Sequence, residues 1–416
     1  MSDLAVEGAA RLRQRADYTH SYNSNTGRHG WLRLTPAYSV KIVEEMLARH
    51  PTPLHVLDPF CGTGTTALSA AYRGHAATTV DINPFLVWLG RAKTASYSRK
   101  VAERVLGICS SLIEAVRNGR NVSAVPPPIS NIERWWPPNV VDYLCALKGA
   151  IETECERGSL ERMLLEVAFC RILIASSNAA FNHQSMSFKE SQDSLFALDQ
   201  SALDGMFRRD VKFVLEGAMD NPRGDVAVIP GDARNLGSLD AEFDLVVTSP
   251  PYANRMSYIR ELRPYMYWLG YLKSAREAGD LDWEAIGGTW GVATSRLMAR
   301  KESDVRFQDQ RLDQFLAEVA RPENKNGTLL ANYVAKYFDD IWLHLASLTE
   351  VLKAGCEVHY IVGNSTFYGV LLPVEELYAE MLRRLQFANV EYRAIRKRNS
   401  KKELFEFDVS ARWPDG

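Results

Sequence analysis

Apolar positions change period several times along this chain. In PAYSVKIVEEMLARH, Val40, Val43 and Leu47 recur at helical spacing, which predicts a helix opening at Pro36, since proline is tolerated in a first turn. Ahead of it, residues 1–20 read as a poorly ordered or weakly helical arm and 21–35 as a polar, glycine-containing loop. LHVLD is then a short apolar run bounded by turn residues, the pattern of a buried strand. PFCGTGTT follows as a glycine-rich turn, TTALSAAYRG as a helix stopped at Gly74, and HAATTVDI as a second strand closing on Asp81. After Asn83-Pro84, FLVWLGRAKTAS returns to helical spacing.

Residues 95–225 abandon that alternation. Helical stretches at about 99–117, 140–151, 158–176 and 205–218 are broken by AVPPPIS and RWWPPN, and no strand run interrupts them. The α/β rhythm resumes at VAVIPGDARN and FDLVVTSPPY, both reading as strands followed by polar loops. Residues 253–330 are mixed, rich in arginine and aromatics, and too long for a simple connection. A helix at about 332–353 leads into the buried strand CEVHYIVGNS, then the amphipathic helix VEELYAEMLRRLQF. VEYRAIRKR and FEFDVSARW close the chain as a hairpin-like pair around a charged loop. The pattern divides the chain into an arm with the first half of a core (1–94), a helical insert (95–225), a short core piece (226–252), a mixed insert (253–330) and the end of the core (331–416).

Composition changes this picture little. With 416 residues, 46% apolar, 24% charged and nine tryptophans, the chain is long enough for a large core, and it is neither disordered nor fibrous. Forty-nine Lys and Arg against 51 Asp and Glu exclude a wholesale basic surface, but not a local basic cleft. Arginine is concentrated locally: Arg11, Arg13, Arg15, Arg28 and Arg33 face only Asp17 within 11–33, and residues 391–402 carry six Lys or Arg against one Glu. Two such runs fit a nucleic-acid cleft. The six cysteines form neither CxxC pairs nor a disulfide framework, so a reducing compartment without structural zinc is expected. No signal peptide or membrane span is legible.

The chemistry concentrates in two loops. In Asp58-Pro59-Phe60-Cys61-Gly62-Thr63-Gly64-Thr65-Thr66 the glycines let backbone approach a ligand closely. No Gly-Lys-Ser/Thr follows, which argues against a triphosphate, and Ala67 breaks a full GxGxxG. Asp81, at the end of the next strand, suits hydrogen bonding to ribose hydroxyls. Asp232, ending another strand, is placed to accept from an adenine amino group or to stand as an ordinary solvated acid. The ligand is then a nucleoside whose tail carries no phosphate. The second loop, Ser249-Pro250-Pro251-Tyr252, presents extended prolyl carbonyls to an exocyclic amine and a flat ring to a base. The bland alternative is a rigid turn with a packed tyrosine.

This pair of loops resembles the DNA amino-methyltransferases that use S-adenosylmethionine, and its SPPY form is most like their cytosine-N4-specific subgroup. The resemblance covers roughly 21–95, 226–270 and 332–413, and the segment holding Arg33, Thr35, Pro36 and Tyr38 is similar to the family's motif over the methionine carboxylate. It implies a Rossmann-like class I methyltransferase fold, α/β with a mostly parallel sheet, carrying helical and mixed inserted subdomains. The cofactor set becomes Thr35, Tyr38, Asp58, Pro59, Phe60, Gly62, Gly64, Thr65, Asp81, Ile82, Asp232 and Ala233, and the catalytic set Ser249, Pro250, Pro251 and Tyr252. Implied with it are direct methyl transfer to N4 of a flipped cytosine in double-stranded DNA and a cytoplasmic, prokaryotic or phage-encoded setting. The resemblance also implies a monomer or homodimer, with room for a cognate restriction endonuclease acting separately. Cytosine-C5 chemistry is disfavoured because no Pro-Cys occurs, and Cys61 in the glycine loop is expected to pack.

Candidate nucleic-acid contacts are Arg255, Tyr258, Arg260, Arg296, Arg396 and Arg398, with His29 and His183 as candidates for phosphates and Asn364-Ser365 for the base pocket. Trp135-Trp136 reads as packing between subdomains, and no histidine–acid spacing argues for a metal. Rival readings are an adenine-N6 DNA enzyme, an RNA guanine-N2 enzyme and a catalytically dead nucleic-acid-binding protein.

Overall fold

The computed structural model describes residues 15–24, 26–34, 37–119, 125–180, 187–188, 198–254, 257–288, 292–299, 306–398 and 404–415. Seven strands, β1 (His55–Asp58), β2 (Ala76–Asp81), β3 (Val226–Pro230), β4 (Phe243–Thr248), β5 (Leu352–Gly363), β6 (Ala388–Lys397) and β7 (Phe405–Arg412), form one sheet. Their spatial order is β6-β7-β5-β4-β1-β2-β3. β1 to β5 pair in parallel, while β7 runs antiparallel to both β5 and β6. This doubly wound sheet, with its last strand reversed and inserted beside the fifth, is the Rossmann-like class I methyltransferase fold. Strand order reverses between β1 and β4, where an open α/β sheet offers a crevice beyond its carboxyl ends.

Period-two alternation explains both layers. Val56, Leu245 and Val247 pack with Ile42, Val43, Met46 and Leu47 of α1 (Val40–Leu47) and with Ala67 and Ala70 of α2 (Thr65–Tyr72). Their neighbours Leu57 and Val246 turn to the other face. The helix α3 (Pro84–Thr94) follows β2, capped by the Asn83 side chain, which accepts from the Phe85 amide at 3.0 Å. α1 begins at Val40 rather than Pro36, because the Ser39 hydroxyl accepts from the Lys41 amide and fixes the start there; Pro36 lies outside the described residues.

Between β2 and β3, α4 (Arg99–Arg117), α5 (Pro138–Glu154), α6 (Leu160–Ala175) and α7 (Gln200–Ala218) form a helical layer. Ser98, Ser159 and Asp199 cap α4, α6 and α7. Their apolar faces merge with α3 and with α8 (Tyr258–Trp268) in one core. Trp136 is buried there, donates from Nε1 to the Leu173 carbonyl at 2.8 Å and stacks on Trp135, so this pair packs as expected. A two-stranded pair, Ala179–Ala180 with Ser187–Phe188, does interrupt the helices, in a segment too short to show a strand period.

After β4 come α8, α9 (Ala275–Glu284), α10 (Val292–Met298) and α11 (Gln310–Val319); the described residues of 253–330 carry helices and no strand. The long α12 (Gly327–Leu348) and α13 (Val374–Arg384) then cover Leu57, Val246, Val358, Tyr360 and Val409 on the face opposite α1 and α2. A short hairpin, Ser365–Phe367 with Val370–Leu372, follows β5.

The N-terminal arginines are not a uniform basic face. Arg28 is fully buried and donates to the carbonyls of Lys93, Ala95, Gly217 and Ala218 and to Asn221 Oδ1. It ties the arm to α3 and α7, and does not face nucleic acid. Arg15 pairs with Asp17, whereas Arg33 is exposed. His29, expected at a phosphate, is also buried, and burial pulls its imidazole down to about 3. Arg11, Arg13 and His183 lie outside the described residues.

Candidate active site

The carboxyl ends of β1 to β4 open into a cavity of about 290 Å³, at the lower edge of the roughly 300–1,000 Å³ typical of small-molecule pockets. Its wall on the side of the glycine loop holds Tyr38, Pro59, Phe60, Gly62, Asp81, Ile82, Asp232 and Ala233. The opposite side holds Ser249, Pro250, Pro251, Tyr252, Tyr258, Arg396 and Arg398. The glycine loop at Gly62 and the loop opening at Ser249, about 190 positions apart along the chain, thus share one cavity.

The glycine loop takes its shape from two left-handed residues, Gly62 at φ +50° and Gly64 at φ +73°. Asp81 braces it from the side: Oδ2 accepts from the Gly62 amide and Oδ1 from the Asn83 amide, both at 2.9 Å. Burial pushes the Asp81 carboxyl up to about 6, and amide donors restrain the rise. Asp58 does not reach the cavity. It is 1% exposed, and Oδ1 accepts from Thr248 Oγ1 at 2.6 Å and from the Phe60 amide at 3.1 Å, joining β1 to β4. Its Oδ2 is buried with no hydrogen-bond partner, and burial raises the carboxyl to about 7.

Gly64 and Thr65 also lie beneath the lining, Thr65 Oγ1 bonding to Thr63 Oγ1 at 2.9 Å. Below them Lys93 donates to the Thr63 carbonyl at 2.9 Å, buried and lowered by desolvation to about 8. The Tyr38 hydroxyl bonds to Thr66 Oγ1, fastening the N-terminal segment onto α2. Thr35 lies outside the described residues. Cys61 is buried, as expected, and burial raises its thiol.

At the third strand end, Asp232 lines the cavity beside Ala233. His344 of α12 pairs its Nδ1 with the Ala233 carbonyl at 2.8 Å and its Nε2 with the Tyr360 hydroxyl at 2.7 Å, and its ring meets Phe60 edge-on at 4.8 Å. Burial draws this imidazole down to about 4, so it is neutral near pH 7.

In the Ser249–Tyr252 loop every contact has a distinct partner. Ser249 Oγ donates to the Ile361 carbonyl of β5 at 3.1 Å. The Pro251 carbonyl accepts from the Tyr337 hydroxyl at 2.8 Å. The Tyr252 amide donates to the Tyr258 hydroxyl at 3.0 Å, and the Tyr252 hydroxyl to Glu406 Oε1 at 2.6 Å. Glu406 also takes a two-nitrogen contact from Arg396, at 2.6 and 3.0 Å. The Arg398 guanidinium lies over the Tyr252 ring, 5.0 Å from its centroid. Gly363 permits this approach, since a Cβ there would come within 2.4 Å of Arg398 Nη1 and 3.0 Å of Tyr252 Cε2.

The remaining candidates separate. Arg260 and Arg296 do not line the cavity, and Arg296 pairs with Asp280 at 2.8 Å; Arg255 lies outside the described residues. Arg393, in the second basic run, pairs with Asp408. Asn364 supports the wall from behind: its carbonyl accepts from Arg398 and its Oδ1 from the Phe405 amide. Sequence reasoning missed Glu406, Asn254, Tyr18 and the Glu284–Ile286 segment. For Glu406 there was a signal, an acid inside the apolar run FEFDV. Among the described residues no cluster of His, Cys, Asp and Glu could hold a metal, and no helix is long and apolar enough to cross a membrane.

The glycine-loop side suits S-adenosylmethionine by its chemistry. Two carboxylates at neighbouring strand ends flank apolar surface from Phe60, Ile82 and Ala233, above a glycine turn, and among the described residues no Lys or Arg lines this wall. Fold and site together define a class I S-adenosylmethionine-dependent methyltransferase.

The comparisons with known proteins agree. The type II methyltransferase M.BsoBI of Geobacillus stearothermophilus is 21% identical over 94% of this chain and 84% of its own. M.AvaI of Nostoc sp. is 20% identical over 89% and 80%, and M.MvaI of Kocuria varians 20% over 84% and 79%. No protein-family model matches the chain. A solved rRNA methyltransferase, aviRa of Streptomyces viridochromogenes, aligns over 91% of this chain and 86% of its own at 13% identity, with a TM-score of 0.28 too low to carry any argument. The chain is an S-adenosylmethionine-dependent methyltransferase distantly related to the type II methyltransferases.

Proposed function

We propose that this methyltransferase acts on nucleic acid, and that its acceptor is the N4 amino group of a cytosine flipped out of double-stranded DNA. The observation that carries this reading is the division of labour in the Ser249–Tyr252 loop. The Ser249 proton is committed to the Ile361 carbonyl, so its oxygen keeps lone pairs for an incoming donor. The Pro251 carbonyl is capped by Tyr337, which leaves the Pro250 carbonyl as the prolyl acceptor for the substrate.

An exocyclic amine is a weak nucleophile because its lone pair is delocalised into the ring. Ser249 Oγ and the Pro250 carbonyl, accepting its two hydrogens, would draw the nitrogen toward a tetrahedral shape and aim the lone pair at the cofactor side. Asp81 and Asp232 would hold the ribose and adenine of the cofactor, with Phe60, Gly62 and Ile82 along its length. Bound S-adenosylmethionine supplies a methyl group made electrophilic by its sulfonium. Methyl transfer would form the nitrogen–carbon bond at the expense of the carbon–sulfur bond, and Ser249 Oγ and the Pro250 carbonyl would pass the displaced proton on to solvent. Positioning and fixed dipoles supply the catalysis, without a covalent enzyme intermediate.

Tyr252, held by Glu406, would stack on the flipped base, and Tyr258, Arg396 and Arg398 would complete the base side. Flipping costs a few kcal/mol that contacts to the duplex must offset. The helical segments 95–225 and 253–330 are the elements we assign to recognition of the duplex. A labelled methyl should pass from S-adenosylmethionine to unmodified genomic DNA and not to total RNA. Transfer to RNA alone would point to the guanine-N2 alternative.

A further inference from the structure

The loop after β3 is gripped by one face of one helix. In α12, Asp340, His344 and Ser347 stand at i, i+4 and i+7 and therefore share a face. Asp340 Oδ1 accepts from Arg234 Nη1 at 2.8 Å, His344 Nδ1 pairs with the Ala233 carbonyl at 2.8 Å, and Ser347 Oγ accepts from the Leu236 amide at 2.5 Å. Three contacts along two turns of helix thus fix residues 233–236.

Arg234 is the centre of this junction. Its Nε and Nη2 fork onto the Asp232 carboxylate at 2.7 to 3.1 Å, and its own amide donates to Asp232 Oδ1 at 2.9 Å. Nη2 also donates to the carbonyl of Glu284, the last residue of α9, at 2.7 Å. All three guanidinium nitrogens are engaged by protein acceptors, with the side chain only 21% exposed, so this arginine is not a free cation for a phosphate. It joins two walls of the cavity: Asp232 on one side, and Glu284, Ala285 and Ile286 on the other.

The carboxylate so held keeps acceptor capacity. Of its roughly four lone-pair sites, Oδ1 serves the Arg234 amide and Nε, while Oδ2 serves chiefly Nη2. Burial pushes the Asp232 carboxyl up, but the Arg234 hydrogen bonds outweigh it and leave the group below its ordinary value. It is therefore ionised near neutral pH, a carboxylate in the cavity wall with no proton to donate.

We propose that Arg234 is a positioning residue for the cofactor's base: by clamping Asp232 to the end of α9 it sets that carboxylate to accept from an exocyclic amino group, and so selects adenine over a base with a carbonyl at that place. The inference rests on Asp232 as the adenine-facing acid. A carbonyl oxygen opposite a fixed carboxylate offers no donor, whereas an unclamped carboxylate can rotate away or admit water. A lysine at 234 keeps the charge but loses the planar fork.

The test is calorimetric binding of S-adenosylhomocysteine and S-inosylhomocysteine to the full chain and to Arg234→Met and Arg234→Lys. The unaltered chain should prefer the adenosyl compound by about tenfold or more, the size of a hydrogen bond to a charged group. In both variants the preference should shrink at least threefold, whatever happens to absolute affinity. If the two compounds weaken by the same factor, Arg234 is only structural and the proposal is overturned; should the Met variant not fold, the Lys variant decides alone. A preference near one in the unaltered chain would instead remove Asp232 from the adenine, a failure of the underlying reading that is visible before any variant is compared.

Discussion

The Tyr337 hydroxyl donates to the Pro251 carbonyl at 2.8 Å, so the two prolyl carbonyls of the Ser249–Tyr252 loop are unequal before any substrate arrives. Tyr337 also pairs with the Tyr378 hydroxyl at 2.8 Å, and thereby anchors the loop to α12 and α13. Replacing Tyr337 with Phe leaves the Pro251 carbonyl uncapped and the loop less constrained. The turnover rate should fall about tenfold, the cost of one lost buried partner, while the dissociation constant of S-adenosylmethionine, measured by calorimetry, stays within about twofold.

Tyr252 is held through its hydroxyl by Glu406 and carries the Arg398 guanidinium over its ring; in the proposed function the ring stacks on the base. Tyr252→Ala should lose about 10- to 100-fold in methyl transfer, the range of one base–aromatic stack, and still bind cofactor. Tyr252→Phe keeps the ring and forfeits only the Glu406 bond, so it should retain most of the activity. Equal losses in steady-state assays of the two variants would remove stacking from the account.

Arg28 illustrates a basic residue whose work is internal. Its five acceptors lie in α3, α7 and the residues just beyond them, and none of them lines the cavity. Arg28→Met strands these groups in the interior and should destabilise the chain by at least about 3 kcal/mol. Urea unfolding reads that loss. DNA affinity, measured below the unfolding transition, should not change.

Acid should act on cofactor binding and on folding with opposite signs. The Asp81 carboxyl is raised by burial to about 6, and in the role proposed for it, accepting from the ribose hydroxyls, it must be ionised. Affinity for S-adenosylmethionine should therefore be steady above pH 7 and drop about tenfold per unit below pH 6. For folding, a raised carboxyl favours the native state at low pH. Its contribution is fully present below the ordinary Asp value of 3.8 and is lost as pH rises through about 6. The Asp58 carboxyl, raised to about 7, adds to stability with the same sign. Calorimetric titrations at pH 5, 6 and 8 check the binding half. Affinity independent of pH would show that Asp81 does not contact the cofactor.

How much of this could be read from residues alone follows physical lines. The sheet was legible because LHVLD, HAATTVD and FDLVVT are apolar runs closed by turns, and the paired loops at Gly62 and Ser249 sit where such strands end. That Phe60, Gly62, Asp81 and Asp232 line one cavity follows from the same strand ends. Arg28 and His29 misled, because a polar, glycine-containing context looks the same in a solvated loop and in a buried clasp whose acceptors lie some 190 residues away. Pro36 misled as a helix start because Ser39, three residues on, was the better cap. The partners of Arg234, Tyr337 and His344 were beyond reach, since α12 meets the two loops only through the tertiary fold, about 80 to 110 positions away along the chain. Glu284–Ile286 joins the cavity for that reason too: nothing local in LDWEAIGG marks it as a wall.

The central claim is tested most directly by the identity of the modified nucleoside. Unmodified duplex DNA incubated with the full chain and isotope-labelled S-adenosylmethionine is digested to nucleosides and resolved by mass. The account predicts labelled N4-methylcytosine, absent when Ser249 is replaced by Ala. Label recovered as N6-methyladenine, or as 5-methylcytosine, would contradict it.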